Sequence, residues 1–143
     1  MNLHDILLPV FVQVALVVAL AALMGRRRYV AVQSGSVRRA DVVLGQKNWP
    51  DSAQAAANAY SNQFELPVLF FALVPLVIMT RKADVLFVVL SWVFVLSRIG
   101  HALAYVTTNN LRYRLPFFAV GALALTVLWL QFAVSILAQP LPS

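Results

Sequence analysis

The chain has 143 residues, of which 62% are hydrophobic and only 11% are charged, and its mean hydropathy is +0.82. A soluble domain of this length cannot bury that much apolar surface, whereas a lipid bilayer can cover it. The net charge of +6 does not indicate nucleic-acid binding, because the basic residues flank apolar segments. The absence of cysteine excludes disulfides and a cysteine nucleophile, and two histidines argue against a metal site. Composition therefore predicts one helical membrane domain over residues 1–143.

The first apolar segment predicts a membrane-spanning helix that extends beyond the bilayer. Residues 6–24 carry no charge, and a helix of 19 residues can cross a hydrocarbon core of about 30 Å. Asp5 precedes this segment and three arginines follow it, whereas a signal peptide has its basic residues first. We therefore expect a retained span whose helix continues to about residue 34.

Three further spans follow, separated by short polar breaks. The second is predicted over residues 54–80, where Pro67 and Pro75 should kink the helix. The third is predicted over residues 83–107. The fourth is predicted over residues 115–138, a segment that contains no charged residue. The expected fold is an all-α integral membrane protein, a bundle of four transmembrane helices in contact with the lipid bilayer.

The basic residues predict the orientation of these spans. The second loop holds only Arg81 and Lys82, and Arg98 lies within a span. The positive-inside rule therefore places the first and third loops in the cytoplasm and both termini outside. The short, compact chain suggests a bacterial inner membrane. Those two loops hold the other eight basic residues, which are Arg26, Arg27, Arg28, Arg38, Arg39, Lys47, Arg112 and Arg114.

Two groups of polar residues recur at helical spacing inside the second and third spans. Ionisable side chains at membrane depth are costly and usually face a bundle interior or a wet cavity. Glu65 and Arg98 lie at depths that agree within about 3 Å, so adjacent antiparallel helices could pair them. Each group is expected to occupy one helix face, with Asn58, Asn62 and Glu65 in the second span and Arg98, His101 and Tyr105 in the third.

These residues have a structural interpretation and a functional one. A Glu65–Arg98 pair could serve only to fix helix register, His101 could be a hydrogen-bonded core residue, and Tyr105 could be an interfacial anchor. The functional interpretation rests on their convergence at one depth, with Arg112 and Arg114 at the mouth. It predicts a cationic funnel at the cytoplasmic interface that lipophilic small molecules reach laterally.

Three segments of the chain resemble the MAPEG family, the membrane-associated proteins in eicosanoid and glutathione metabolism. The resemblance extends over nearly the whole chain in the order and length of the spans. The segments are Asn62-x-x-Glu65, Arg98-x-x-His101-x-x-x-Tyr105 and Tyr29-Val-Ala-Val-x-x-Gly35-x-Val-Arg38.

The resemblance implies a left-handed four-helix bundle that assembles as a homotrimer and uses glutathione as a co-substrate bound between subunits. Arg112 resembles the arginine that stabilises the glutathione thiolate in the leukotriene-forming branch, with Arg114 as the alternative, and Tyr105 is the second candidate catalytic residue. The implied glutathione-binding residues are Arg38, Asn62, Glu65, Arg98, His101 and Tyr105.

The residue types fit that chemistry. Arginines suit the two carboxylates of glutathione, and a glutamate suits its ammonium group. A neighbouring guanidinium or tyrosine hydroxyl can populate the thiolate. The chain departs from several catalytic members at Asn58, where they carry an arginine.

The sequence is compatible with three functions. The first is a glutathione-dependent transferase or peroxidase that acts on lipophilic electrophiles. The second is a non-enzymatic lipid-binding or scaffold protein that retains a structural glutamate–arginine network, which Asn58 favours. The third is a small multidrug-type exporter, which also uses four spans and a buried glutamate but normally has no arginine like Arg98 facing it.

The charge distribution predicts how introduced cysteines will be labelled, because the chain has none of its own. A cysteine at Ser36 should be protected from a membrane-impermeant thiol reagent in intact cells, and one at Ser143 should be labelled. A gel-shift assay before and after permeabilisation measures the difference. The reverse pattern would place the first and third loops outside the cytoplasm.

Overall fold

The computed structural model describes residues 2–45 and 48–138. A turn of 3-10 helix (Asn62–Phe64) joins the helix Asp51–Ser61 to the helix Leu66–Met79, so that these two helices form one interrupted span. The described residues thus provide four helical segments that are long and apolar enough to cross a membrane, which confirms the all-α, four-span prediction. The helices are α1 (Leu3–Gln33), α2 (Asp51–Ser61), α3 (Leu66–Met79), α4 (Val85–Val106) and α5 (Leu111–Leu137).

Side-chain caps set the start of the last two helices. The Asp84 carboxylate accepts a hydrogen bond from the backbone N–H of Phe87 at 2.7 Å, so α4 begins after it. Asn110 accepts from the backbone N–H of Arg112 at 2.9 Å, so α5 begins at residue 111, earlier than the predicted 115. Arg112 and Arg114 consequently belong to the first turn of a helix and not to a loop. Lys47 and Ser143, used in the orientation argument, lie outside the described residues.

The second span is broken at Glu65. This residue has φ −102° and ψ −107°, which lies outside the helical region. Pro67 has no N–H to donate, and its ring crowds the carbonyl of Gln63, so the break occurs where a kink was predicted. Pro75 does not interrupt α3, which continues through it to Met79.

The interior consists of two apolar clusters along the bundle. The larger one joins α3, α4 and α5, with Phe70 and Phe94 fully buried and their ring centroids 5.0 Å apart. The smaller one lies nearer the other end and includes Ala59, Ala102 and Tyr105. Small side chains keep the backbone of α2 close to α1 and α4. They are the buried alanines Ala53, Ala55, Ala56, Ala57 and Ala59.

Arg27 fastens three elements together at one end of the bundle. Its guanidinium donates to the carbonyl oxygens of Ser52 at 2.8 Å and Val106 at 2.9 Å. The second contact satisfies a carbonyl at the end of α4 that has no partner within its own helix. These bonds join α1 to the start of α2 and the end of α4, so the first and third loops lie at the same end.

Helices α4 and α5 approach closely because of Gly121. A β-carbon at this position would lie 2.5 Å from the Ser97 hydroxyl oxygen and 3.7 Å from Cδ of Arg98. Ser97 is buried, and its hydroxyl donates to the carbonyl oxygen of Phe94 at 2.6 Å. A larger side chain at residue 121 would therefore push on the helix that carries Arg98.

Gly121→Val should lower the free energy of unfolding in detergent by about 1–3 kcal/mol, because the added methyl groups overpack the α4–α5 contact. Gly25→Val is the matched control, since a β-carbon at Gly25 has no neighbour within 4 Å. Thermal melting of both variants measures the difference. Equal losses would show that the close approach at Gly121 does not limit packing.

Candidate functional site

A cavity of about 190 Å³ opens where the break in the second span, the end of α4 and the start of α5 meet. Four of the sequence-predicted residues provide its polar lining, namely Asn62, His101, Tyr105 and Arg114. The apolar lining consists of Leu111, Leu115 and Phe118. The residues come from three separate elements, so the cavity exists only in the folded bundle.

His101 connects the cavity to a buried arginine. Arg98 is only 1% exposed, and its Nη2 donates to Nδ1 of His101 at 2.9 Å. A guanidinium has no acceptor, so Nδ1 must accept, which requires a neutral imidazole with its proton on Nε2. Within residues 2–45 and 48–138, Nε and Nη1 of Arg98 have no hydrogen-bond partner. The guanidinium therefore retains unused donors behind the cavity wall.

Tyr105 and Arg114 form the second polar contact of the cavity. Nη2 of Arg114 donates to the Tyr105 hydroxyl, and the guanidinium carbon lies 3.4 Å from the centroid of the tyrosine ring. Nη1 donates to the side-chain oxygen of Asn109 at 3.1 Å. Asn109 has φ +49°, a left-handed conformation that asparagine tolerates better than most residues. The α4–α5 turn thus holds the Arg114 guanidinium against the tyrosine.

Arg112 does not line the cavity. Its side chain is exposed and is not among the lining residues, although the resemblance indicated Arg112 first and Arg114 second. Residues two apart on a helix do not face the same direction, so only one of the two can line the cavity. Because the cap at Asn110 starts α5 at residue 111, both arginines lie on this helix, and Arg114 is the one on the face toward the cavity.

Glu65 and Arg98 do not form the predicted direct ion pair. In the described part of the chain, the pairs within 4 Å are His4–Asp5 and Arg38–Asp41. The prediction assumed a continuous helix from Asn58 to Glu65, but the 3-10 turn and the break rotate the Glu65 side chain onto the exposed surface.

Arg38 and Asn58 also lie away from the cavity lining. Helix α1 ends at Gln33, and Arg38 lies in the loop with a side chain that is 83% exposed. Its Nε donates to the Asp41 carboxylate at 3.0 Å, and this contact holds the pKa of Asp41 below its usual range. The Asn58 side chain accepts from Gln54 at 2.8 Å on the exposed surface. Arg38 thus lies outside the cavity of a single chain, and its contact with glutathione stays a prediction.

A buried pair of glutamines stabilises the break, and sequence reasoning missed it. Nε2 of Gln13 donates to Oε1 of Gln63 at 2.9 Å, and both side chains are at most 1% exposed. Nε2 of Gln63 in turn donates to the carbonyl oxygen of Ala59 at 3.0 Å. The available signal was Gln13 itself, the single polar side chain of the uncharged run 6–24.

The fold and the cavity together define a multi-pass helical membrane protein with a cluster of arginine, histidine and tyrosine near one end of the bundle. The family model of the MAPEG family matches residues 6–134, nearly the whole chain. The chain belongs to the MAPEG family, as the motifs on its second and third spans indicated. No curated protein and no solved structure shows a significant match.

Gln13→Leu should destabilise the protein by about 1–3 kcal/mol, because it leaves buried polar atoms of Gln63 without a partner. The double variant Gln13→Leu/Gln63→Leu should recover part of that loss, since it removes both members of the buried pair. Gln54→Leu is the matched control, because its hydrogen bond to Asn58 is equally short but exposed. Melting in detergent is measured for these three variants and for the single variant Gln63→Leu. Strictly additive losses at Gln13 and Gln63 would contradict the pairing.

Proposed function

We propose that the protein is a glutathione-dependent transferase or peroxidase that acts on lipophilic electrophiles. The observation that carries this proposal is the contact between Arg114 and Tyr105 at a cavity that also contains His101 and Asn62. Family membership supports the broader class but does not by itself distinguish an enzyme from a non-enzymatic member.

The proposed chemistry is activation of the glutathione thiol. A free thiol has a pKa of about 8.5, so little thiolate exists at neutral pH without help. A guanidinium beside the sulfur favours the anion, and Arg114 is held in position by Asn109 and Tyr105. We therefore assign thiolate stabilisation to Arg114, and we assign to the Tyr105 hydroxyl a second hydrogen bond to the sulfur. The thiol proton passes to solvent, the thiolate forms a bond to the electrophilic atom of the acceptor, and the acceptor's leaving group departs with the electrons of the bond that breaks.

Glutathione would extend beyond the cavity of one chain. Ligand pockets usually enclose about 300–1,000 Å³, whereas this cavity holds about 190 Å³. We propose that the thiol end occupies the cavity next to Asn62 and His101, and that the remainder lies on the surface that carries Glu65. A neighbouring subunit of a homotrimer would cover that surface, where Glu65 would bind the ammonium group. Arg98 would supply charge to a carboxylate from behind His101.

The exposed cations at this end have a supporting role in the proposal. Arg38 and Arg112 lie at the same end of the bundle as the cavity and are solvent-exposed. They would attract the anionic peptide before it enters. We place this end at the cytoplasmic face of a bacterial inner membrane, on the distribution of basic residues. Lipophilic acceptors would reach the cavity laterally from the bilayer.

A lipid-binding or scaffold function is the second candidate. Asn58 stands where several catalytic members carry an arginine, and its side chain is occupied by Gln54. Calorimetry with glutathione on detergent-purified protein distinguishes the two candidates. Binding that is weakened by Glu65→Gln supports the glutathione function, and no binding by the unmodified protein supports the scaffold function.

Arg114→Ala should abolish the excess thiolate absorbance of bound glutathione at neutral pH. It should also lower turnover of a generic electrophile by about 100-fold or more, which is typical for loss of one preorganised charge-stabilising donor. Glutathione affinity should fall less than turnover, because Asn62, Glu65 and Arg98 remain.

Arg112→Ala is the matched control, because it removes the same charge two residues earlier from a side chain outside the cavity. Ultraviolet difference spectra and initial rates are measured for both variants. If Arg112→Ala abolishes the thiolate signal and Arg114→Ala does not, the assignment is reversed. If neither does, thiolate stabilisation by this helix is excluded.

A further inference from the structure

A second and larger cavity lies at the opposite end of the bundle. It holds about 680 Å³ between the end of α3, the start of α4 and the last turns of α5. None of its lining residues belongs to the site described above. Its function is therefore a separate question from glutathione chemistry.

Two cations stand at the mouth of this cavity. Helix α3 ends at Met79, and Arg81 follows with φ +55°, a left-handed conformation that stops the helix. Arg81 and Lys82 both line the cavity. Neither belongs to an ion pair within 4 Å among the residues that the structure describes.

Asp84, the acid among the lining residues, already accepts two hydrogen bonds. One oxygen of Asp84 accepts from the backbone N–H of Phe87, and the other accepts from Nε2 of Gln131, both at 2.7 Å. Oε1 of Gln131 is buried and has no hydrogen-bond partner in the described part of the chain. The mouth thus combines the cations of Arg81 and Lys82 with Oε1 of Gln131, a hydrogen-bond acceptor that has no donor in the described part of the chain.

The rest of the cavity is an apolar groove that opens sideways. Val77, Phe87 and Leu128 line it and are at most 2% exposed. Leu130 and Val134 also line it but are 59% and 64% exposed on the outer surface of the bundle. From residue 135 to residue 127 along α5 the groove extends about 12 Å at 1.5 Å per residue.

We propose that this cavity binds a phospholipid with an anionic headgroup that carries a hydroxyl group. Arg81 and Lys82 hold the phosphate, a hydroxyl of the headgroup donates to Oε1 of Gln131, and one acyl chain occupies the groove. Free phosphate would satisfy the cations but would leave the groove unused. The lateral opening favours a molecule that already resides in the bilayer.

The test uses the full chain in nanodiscs of equal parts phosphatidylglycerol and phosphatidylcholine. Native mass spectrometry then counts each lipid retained by the protein. We expect retained phosphatidylglycerol to exceed phosphatidylcholine, and Arg81→Gln or Lys82→Gln to reduce this preference about fivefold each, the usual effect of one cation near a membrane surface. Leu130→Trp, which fills the groove without changing charge, should also reduce retained phosphatidylglycerol.

Arg39→Gln is the matched control, because it removes an exposed cation at the other end of the bundle. If it reduces the preference as much as Arg81→Gln, general surface charge explains the binding and the proposal is wrong. The proposal also fails if phosphatidylglycerol is not preferred, or if Leu130→Trp leaves its retention unchanged. In lipid-free detergent, inorganic phosphate that binds as tightly as phosphatidylglycerol would identify a free-anion site instead.

Discussion

Every backbone polar group that leaves a helix inside a bilayer needs a partner within the protein, and Pro67 creates this need in the middle of the second span. Pro67 removes the N–H that would bond to the carbonyl oxygen of Gln63. Close by, where α2 ends, the Gln63 side chain donates to the carbonyl oxygen of Ala59, one of the last carbonyls of that helix, and Gln13 of α1 donates to Gln63. With the break stabilised in this way, Asn62 lines the cavity while Glu65 lies on the surface. The direction of both polar side chains therefore depends on one proline and one pair of glutamines.

Close helix packing positions the other half of the site. Buried alanines let α2 lie against α1 and α4, and Gly121 lets α5 approach α4 beside Arg98. Protein interiors tolerate little change in volume, so such contacts fix the relative position of the helices. Arg27 fastens α1 to the starting end of α2 and the finishing end of α4. The cavity consequently has walls that are set by backbone distances as well as by side-chain conformations.

The sequence predicted most where one continuous helix carries the pattern. Arg98, His101 and Tyr105 share a face of α4, so helical spacing placed them correctly on the bundle interior. The same rule failed for Glu65, because a 3-10 turn and a broken backbone interrupt the spacing.

The remaining differences arise from contacts that spacing cannot describe. The choice between Arg112 and Arg114 depended on a cap one residue before α5. The bond between Gln13 and Gln63 joins residues 50 positions apart, and a sequence gives each member without showing that they meet.

Arg98 gives the strongest reason to prefer a binding function over a purely structural one. A buried guanidinium without an acid within 4 Å is destabilising, and an apolar residue of similar volume is often no worse for stability. The hydrogen bond to His101 compensates only part of the cost of burying Arg98, because its Nε and Nη1 find no partner in the described residues. A ligand carboxylate near His101 would supply the missing negative charge. The low dielectric that makes the unpaired Arg98 unfavourable would also strengthen the attraction between the guanidinium and that carboxylate.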